Sequence, residues 1–218
     1  MRVLALCDDY WHPASIAQQG LAGATDLGFE IDWMEDAAAW SPAVMASYPV
    51  TLFIKSDNTT AADRTPWMSD AAAQAFLSYV QAGHGLVAVH SGTVYKDQPV
   101  MRGLLGGAFL NHPPQCPVTF EPKPGHPLTA GCTPFTLKDE HYMMAFDDAE
   151  AEVFLTSTSE HSTQPAGWIR REGAGRVCVL TPGHTVEVWQ HPSFRALLRN
   201  AVQACTPGEV AGLARSHL

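Results

Sequence analysis

The segment Gly85-Leu-Val-Ala-Val-His90-Ser91-Gly92 constrains this chain more than any other stretch. A short apolar run ends abruptly in a histidine and a serine, and Gly92 then permits a sharp turn. An apolar run without polar alternation suits a strand buried on both faces of a parallel sheet. In such sheets ligands bind just past the carboxyl ends of the strands. His90 and Ser91 are expected there. The plainer reading of His90 is a residue that merely caps the strand.

The neighbouring segments repeat the theme. Residues 2–7, 30–35 and 50–55 read as strands. Pro13 opens a helical pattern with Ile16, Ala17, Gly20, Leu21 and Ala24 on one face. Residues 37–46 suggest a short helix broken by Pro42. Ser69 can cap a helix carrying Ala73, Phe76, Leu77 and Val80, which Gly83 would stop. This alternation of strand and helix predicts a parallel, doubly wound α/β sheet. The second half differs. Prolines 113, 114, 117, 122, 124 and 127 crowd one region, so loops and short edge strands are expected. Strands are predicted at 117–122, 134–138 and 151–157, and a hairpin joins 168–171 to 176–180 through Glu172-Gly-Ala-Gly175. Pro192 opens a last helix with Phe194, Leu197, Leu198, Ala201, Val202 and Cys205 at helical spacing. One domain over 1–205 and a tail over 206–218 are expected.

Composition narrows the function. The 218 residues carry 13 Lys and Arg against 22 Asp and Glu, a formal net charge of −9. That balance argues against a nucleic-acid partner, whose affinity needs clustered cations. No apolar stretch is long enough to span a bilayer. The first residues run straight into Asp8 and Asp9 without a signal-peptide pattern, so a cytoplasmic location and no membrane partner are expected. The five cysteines are widely spaced with no C-x-x-C pair, which speaks against a disulfide framework or a cysteine zinc site. A neutral polar ligand or a metal suits the ten histidines better.

Five motifs place polar groups where a strand or turn is predicted to end: Asp8-Asp9 with His12; His90-Ser91; Gly106 to His112; Asp139-Glu140-His141-Tyr142; and Pro182-Gly183-His184. The strand ends of a doubly wound fold share one edge, so His12, His90 and His184 can converge. If 138–142 is extended, Glu140 and Tyr142 point one way and Asp139 and His141 the other. Glu140 and Tyr142 are the pair assigned to the site. Imidazoles and a carboxylate can bind a divalent metal such as zinc or move protons near neutrality. Ser91 with His184 and Glu140 could instead form a hydrolase triad, although no G-x-S-x-G surrounds any serine. His126 reads as a turn residue, His161 as solvated, His191 as a helix cap, and His217 lies in the tail. Cys7 reads as a buried small residue. Trp189 reads first as packing, or else as the wall of a sugar pocket.

Together these pieces resemble the trehalose-utilisation (ThuA-like) family. The matching segments are Gly83 to Ser91, Gly106 to Pro113, His126-Pro-Leu-Thr129, Asp139 to Tyr142, and Gly173 to Val177 followed by Pro182-Gly183-His184, over residues 1–205. The resemblance implies a flavodoxin-like three-layer sandwich with a mainly parallel sheet, as in the class I glutamine amidotransferases. In those enzymes a cysteine sits at the strand-to-helix elbow. Here His90 stands in its place, so glutaminase chemistry, which needs a thiolate, is rejected. His184 falls near the position of the amidotransferase histidine, and Glu187 could be its partner.

The family name implies disaccharide or keto-sugar catabolism. The expected enzyme is an isomerase, lyase or hydrolase with His90, Glu140 and His184 as catalytic residues. Asp9, His12, Ser91, His112, Tyr142 and Trp189 are the substrate-binding candidates. A metal, if present, would sit on His90, His112 and His184. The expected partner is a small sugar-like molecule, and a homo-oligomer is possible. The rival readings are a non-catalytic sugar- or metabolite-binding protein and a serine hydrolase using Ser91.

Overall fold

In the computed structural model, which describes residues 1–208, β1 (Arg2–Leu6), α1 (Ala14–Leu21), β2 (Glu30–Met34), α2 (Pro42–Ala46), β3 (Val50–Phe53), α3 (Asp70–Gln81) and β4 (Gly85–Val89) alternate along the N-terminal part. Two of the helix starts have a serine cap. Ser69 Oγ accepts the Ala72 N–H at 3.2 Å to cap α3, and Ser41 Oγ accepts the Val44 N–H at 3.2 Å to cap α2. The central strand β4 is apolar throughout because both its faces are covered. Along β4, Val87 and Val89 face one core, while Leu86 and Ala88 face the other. Helices α1, α5 (Val186–Gln190) and α6 (Pro192–Cys205) cover the first face, and α2, α3 and α4 (Pro99–Leu105) cover the second. The result is a flavodoxin-like three-layer sandwich.

The remaining strands are β5 (Gly107–Asn111), β6 (Cys116–Pro122), β7 (Phe135–Asp139), β8 (Met143–Phe146), β9 (Glu152–Thr158), β10 (Thr163–Glu172) and β11 (Gly175–Leu180). Nine strands form one sheet in the order β2-β1-β3-β4-β11-β10-β9-β6-β7. Pairing is parallel from β2 to β11 and antiparallel from β11 to β7. The hairpin of β10 and β11 pairs Arg171 with Arg176 across the Gly173-Ala174 turn. The carboxyl ends of β1, β3, β4 and β11 therefore open on one edge.

Two features differ from the sequence reading. Gly107–Asn111, within the Gly106 to His112 motif, is itself a strand, and it pairs with β8 in a separate two-stranded sheet. The strand β8 and the helix α5 have no counterpart in the pattern analysis. The tail expected at 206–218 lies outside the described residues from position 209 onward, as does His217. The five cysteines are all free. Among the described residues, no helix is long and apolar enough to cross a membrane.

Candidate functional site

The end of β4 turns sharply. His90 has φ +47° and begins a single 3-10 turn, His90–Thr93, in which Thr93 Oγ1 donates to the His90 carbonyl at 2.7 Å. Left-handed backbone at a non-glycine residue is costly and persists only where the surroundings enforce it. Gly92 is one enforcing element: a Cβ there would lie 1.9 Å from the Phe53 carbonyl oxygen, so only glycine lets the turn sit against β3. The elbow thus presents an imidazole at the strand end. Its Nδ1 lies 2.8 Å from the Thr181 carbonyl. A carbonyl only accepts, so Nδ1 carries the proton and Nε2 keeps a free lone pair. The ring stacks on Tyr142 at 4.2 Å between centroids.

The end of β1 supplies a second imidazole. Asp9 is fully buried. Its Oδ1 accepts the N–H groups of Trp11 and His12, each at 3.0 Å, and its Oδ2 accepts the Ser56 N–H at 2.9 Å. His12 Nδ1 lies 3.0 Å from Asp9 Oδ1. Burial pushes the Asp9 carboxyl upward, but the His12 bond and charge, the Ser56 N–H and the Ser91 hydroxyl outweigh it and hold it at about 2. The ionised carboxylate accepts a hydrogen bond from His12 Nδ1–H, and His12 Nε2 points onward.

The end of β11 supplies a third. Asp139, buried at the end of β7, accepts the N–H groups of Gly183 at 3.1 Å and His184 at 3.0 Å, which fixes the loop that carries His184. The same segment crosses the strand ends and delivers Glu140. His184 Nδ1 lies 3.2 Å, His90 Nε2 3.4 Å and His12 Nε2 3.8 Å from Glu140 Oε2. His112 Nε2 stands 3.5 Å from the other oxygen, Oε1.

His12, His90, His184 and Glu140 each offer one donor atom, and those atoms lie within 4.8 Å of one another. His12 Nε2, His90 Nε2 and His184 Nδ1 are buried without a hydrogen-bond partner. Two of the three rings have their protons committed elsewhere, to Asp9 and to Thr181. Their lone pairs therefore face a carboxylate oxygen, an arrangement that is repulsive unless a cation or a proton stands between them. Burial disfavours a charged His12, yet Asp9 and Glu140 raise its pKa to about 9. Burial raises the Glu140 carboxyl, but the three imidazoles hold it far below the usual carboxylate range. Burial keeps the His90 pKa below its ordinary value. The site is thus built to hold positive charge, and these four residues could hold a metal.

Above the cluster lies a cavity of about 380 Å³ lined by Trp11, His12, Ser56, Asp57, Asn58, Val94, Phe109, His112, Glu140 and Tyr142. Of the substrate-binding candidates, His12, His112 and Tyr142 reach it. Asp9 and Ser91 lie beneath the floor, both fully buried. Trp189 does not wall the cavity. Its indole is fully buried in the core and donates Nε1–H to the Gly183 carbonyl at 2.8 Å. Among the described residues no hydrogen bond joins Ser91 Oγ to a histidine, so a Ser91 triad has no geometric basis. His112 is displaced from the expected metal set by His12, which approaches Oε2 of Glu140 while His112 meets Oε1. Glu187 is exposed on α5, and His184 pairs with Glu140 instead. His141 turns away and bonds Ser157 and Ser159. Trp11, Asp57, Asn58 and Phe109 escaped the sequence reading. The pair Tyr10-Trp11, set between Asp9 and His12, was the signal available for the first.

The comparisons with known proteins follow this geometry. The ThuA family model, described as trehalose utilisation, matches residues 3–204. The chain belongs to the ThuA family. Among solved structures it is similar to a ThuA-like protein of Bacteroides uniformis at 22% identity and a TM-score of 0.70, covering 94% of this chain and 91% of that one. A cytoplasmic protein of Salmonella typhimurium LT2 matches at 15% identity and a TM-score of 0.70, covering 94% of this chain and 100% of that one. A cold-adapted β-galactosidase of Rahnella sp. R3 matches at 14% identity and a TM-score of 0.57, with 92% of this chain on 30% of that one. At these identities the likeness to this ThuA protein is one of fold alone. No curated protein matches it significantly.

Proposed function

We propose that this ThuA-family protein is a metal-dependent enzyme acting on a small carbohydrate derivative. The observation that carries the reading is the convergence of three unpartnered imidazole nitrogens on Glu140 Oε2, with two of the rings locked in the tautomer that leaves the inward lone pair free. Metal-bound histidines are held in this manner, the outer ring nitrogen donating to a carboxylate or a carbonyl. Imidazole and carboxylate together suit a divalent first-row transition ion.

Bound there, such an ion would supply Lewis-acid polarisation of a substrate carbonyl or hydroxyl oxygen. On a keto-sugar this would acidify the neighbouring C–H, so that proton transfer by side chains of the site would complete an isomerisation or an elimination. His112, beside Glu140 in the cavity lining, would exchange protons with the substrate, and Tyr142 would donate a hydrogen bond to it. Burial raises the Tyr142 phenol well above its ordinary value, so it acts as a neutral donor. The family description, trehalose utilisation, supports the carbohydrate class. The loss of the elbow cysteine is consistent with the same reading, because the imidazole at that position serves as a ligand.

The test is metal content. Purified protein dialysed against divalent zinc, manganese or cobalt should retain about one ion per chain. His90→Ala and His184→Ala should lower that affinity by about 100-fold or more while leaving the circular dichroism spectrum unchanged. Wild-type protein that retains no ion under these conditions would falsify the metal centre.

A further inference from the structure

Trp11 is 63% exposed, the most exposed large hydrophobic side chain among the described residues, yet its loop is firmly held. Its N–H is bonded to Asp9, and the Tyr10 N–H is bonded to Asn58 Oδ1 at 3.3 Å. The Tyr10 ring lies under the Arg64 guanidinium at 4.3 Å and meets the Trp11 ring edge-on at 4.8 Å. An indole held in water beside a cavity forgoes the stabilisation that burial would give, which marks a binding surface. Asp57 lines the same cavity. Its Oδ1 accepts the Trp67 and Met68 N–H groups at 2.9 and 2.8 Å, whereas its Oδ2 takes no hydrogen bond among the described residues. The lining holds two carboxylates, Asp57 and Glu140, and no lysine or arginine.

We propose that this cavity is a subsite for an uncharged, unphosphorylated sugar ring, with the C–H face of the ring on the Trp11 indole and a hydroxyl donating to Asp57 Oδ2. An aromatic face matches the apolar face of a sugar ring, and a lone carboxylate oxygen matches a hydroxyl. A phosphate would need a cationic fork beside Trp11, where the lining offers no lysine or arginine and Asp57 would repel it. The sugar's remaining oxygens then lie toward His12 and Glu140. The inference rests on the carbohydrate and metal reading above, and it adds the charge class of the substrate and the residues that select it.

The experiment uses zinc-loaded wild-type protein and the variants Trp11→Ala and Asp57→Asn. Ligand-observed NMR and calorimetry follow fructose, glucose and trehalose, and separately fructose 6-phosphate and glucose 6-phosphate. A neutral sugar should bind more tightly than its phosphate ester. Each variant should weaken that binding by about tenfold, with zinc affinity unchanged. The proposal is overturned if the esters bind more tightly, if Trp11→Ala binds as wild type does, or if no neutral sugar binds. Sugar binding that depends on Trp11 in a protein that takes up no zinc would support the subsite and overturn the metal reading.

Discussion

Lys55 follows β3 and is fully buried, and its Nζ donates to three backbone carbonyls, those of Cys7, Asp8 and Glu35. Burial lowers its pKa, with Asp8 and Asp9 acting the other way. These carbonyls sit at the ends of β1 and β2, so one ammonium ties three strand ends together beneath the cluster. It also holds Asp8, whose φ is +72°, at the start of the turn that carries His12. Lys55→Met keeps the volume but leaves the buried Cys7 carbonyl and the part-buried Asp8 and Glu35 contacts without their donor. At 1–3 kcal/mol for an unpaired buried group, the expected loss is about 2 kcal/mol, read from urea unfolding at equilibrium. A loss under about 1 kcal/mol would show that water or backbone shifts replace the ammonium. Nothing in Leu52-Phe-Ile-Lys55 announces this role, because a lysine at a strand end ordinarily reaches solvent.

Among the elements, α1 and α5 decide how the histidines meet. The loop into α1 carries His12, the loop into α5 carries His184, and the two helices touch where Gly20 faces Trp189. A Cβ on Gly20 would lie 2.1 Å from Trp189 Cβ. Gly20→Ala should force the helices apart, at a cost of about 1–3 kcal/mol for overpacking. It should also weaken metal binding, because His12 and His184 would separate. Unchanged metal affinity with reduced thermal stability would show that the loops, not the helices, set the spacing. The sequence showed Gly20 on the buried face of α1 but not its partner. The five-residue helix α5 is too short for periodicity to reveal, and β5 and β8 pair across thirty-odd residues with no alternation to mark them. What was legible was legible for a reason. The central strand β4, buried on both faces, is an unbroken apolar run, and the alternation along Asp139-Glu140-His141-Tyr142 separates site from scaffold because an extended chain must alternate. The choice between His12 and His112 was not legible, because it depends on which carboxylate oxygen each approaches.

At the scale of the whole molecule, α6 joins the parallel part of the sheet to the antiparallel part, and two histidines hold that junction. His191 caps α6, its Nδ1 accepting the Ser193 N–H at 3.2 Å. His126 caps the turn 127–129, its Nδ1 accepting the Leu128 N–H at 3.1 Å, and Asn200 on α6 donates to the Leu128 and Ala130 carbonyls of that turn. Both caps need a lone pair on Nδ1, and burial lowers both pKa values below the ordinary 6.5. Glu152, whose Oε1 lies 3.0 Å from His126 Nε2, favours the charged ring, and Lys123 opposes it. Above the unfolded value both states are neutral, and the contribution of the caps is complete. As the pH falls, the unfolded chain takes up these protons first, so stability is lost through the folded pKa values. In chelator-treated protein, Tm should therefore fall between about pH 7.5 and about pH 5.5. The double variant His126→Asn, His191→Asn keeps an acceptor at each cap and removes the titration. It should lose less Tm over the same interval, and an equal loss in the two proteins would place the acid sensitivity elsewhere.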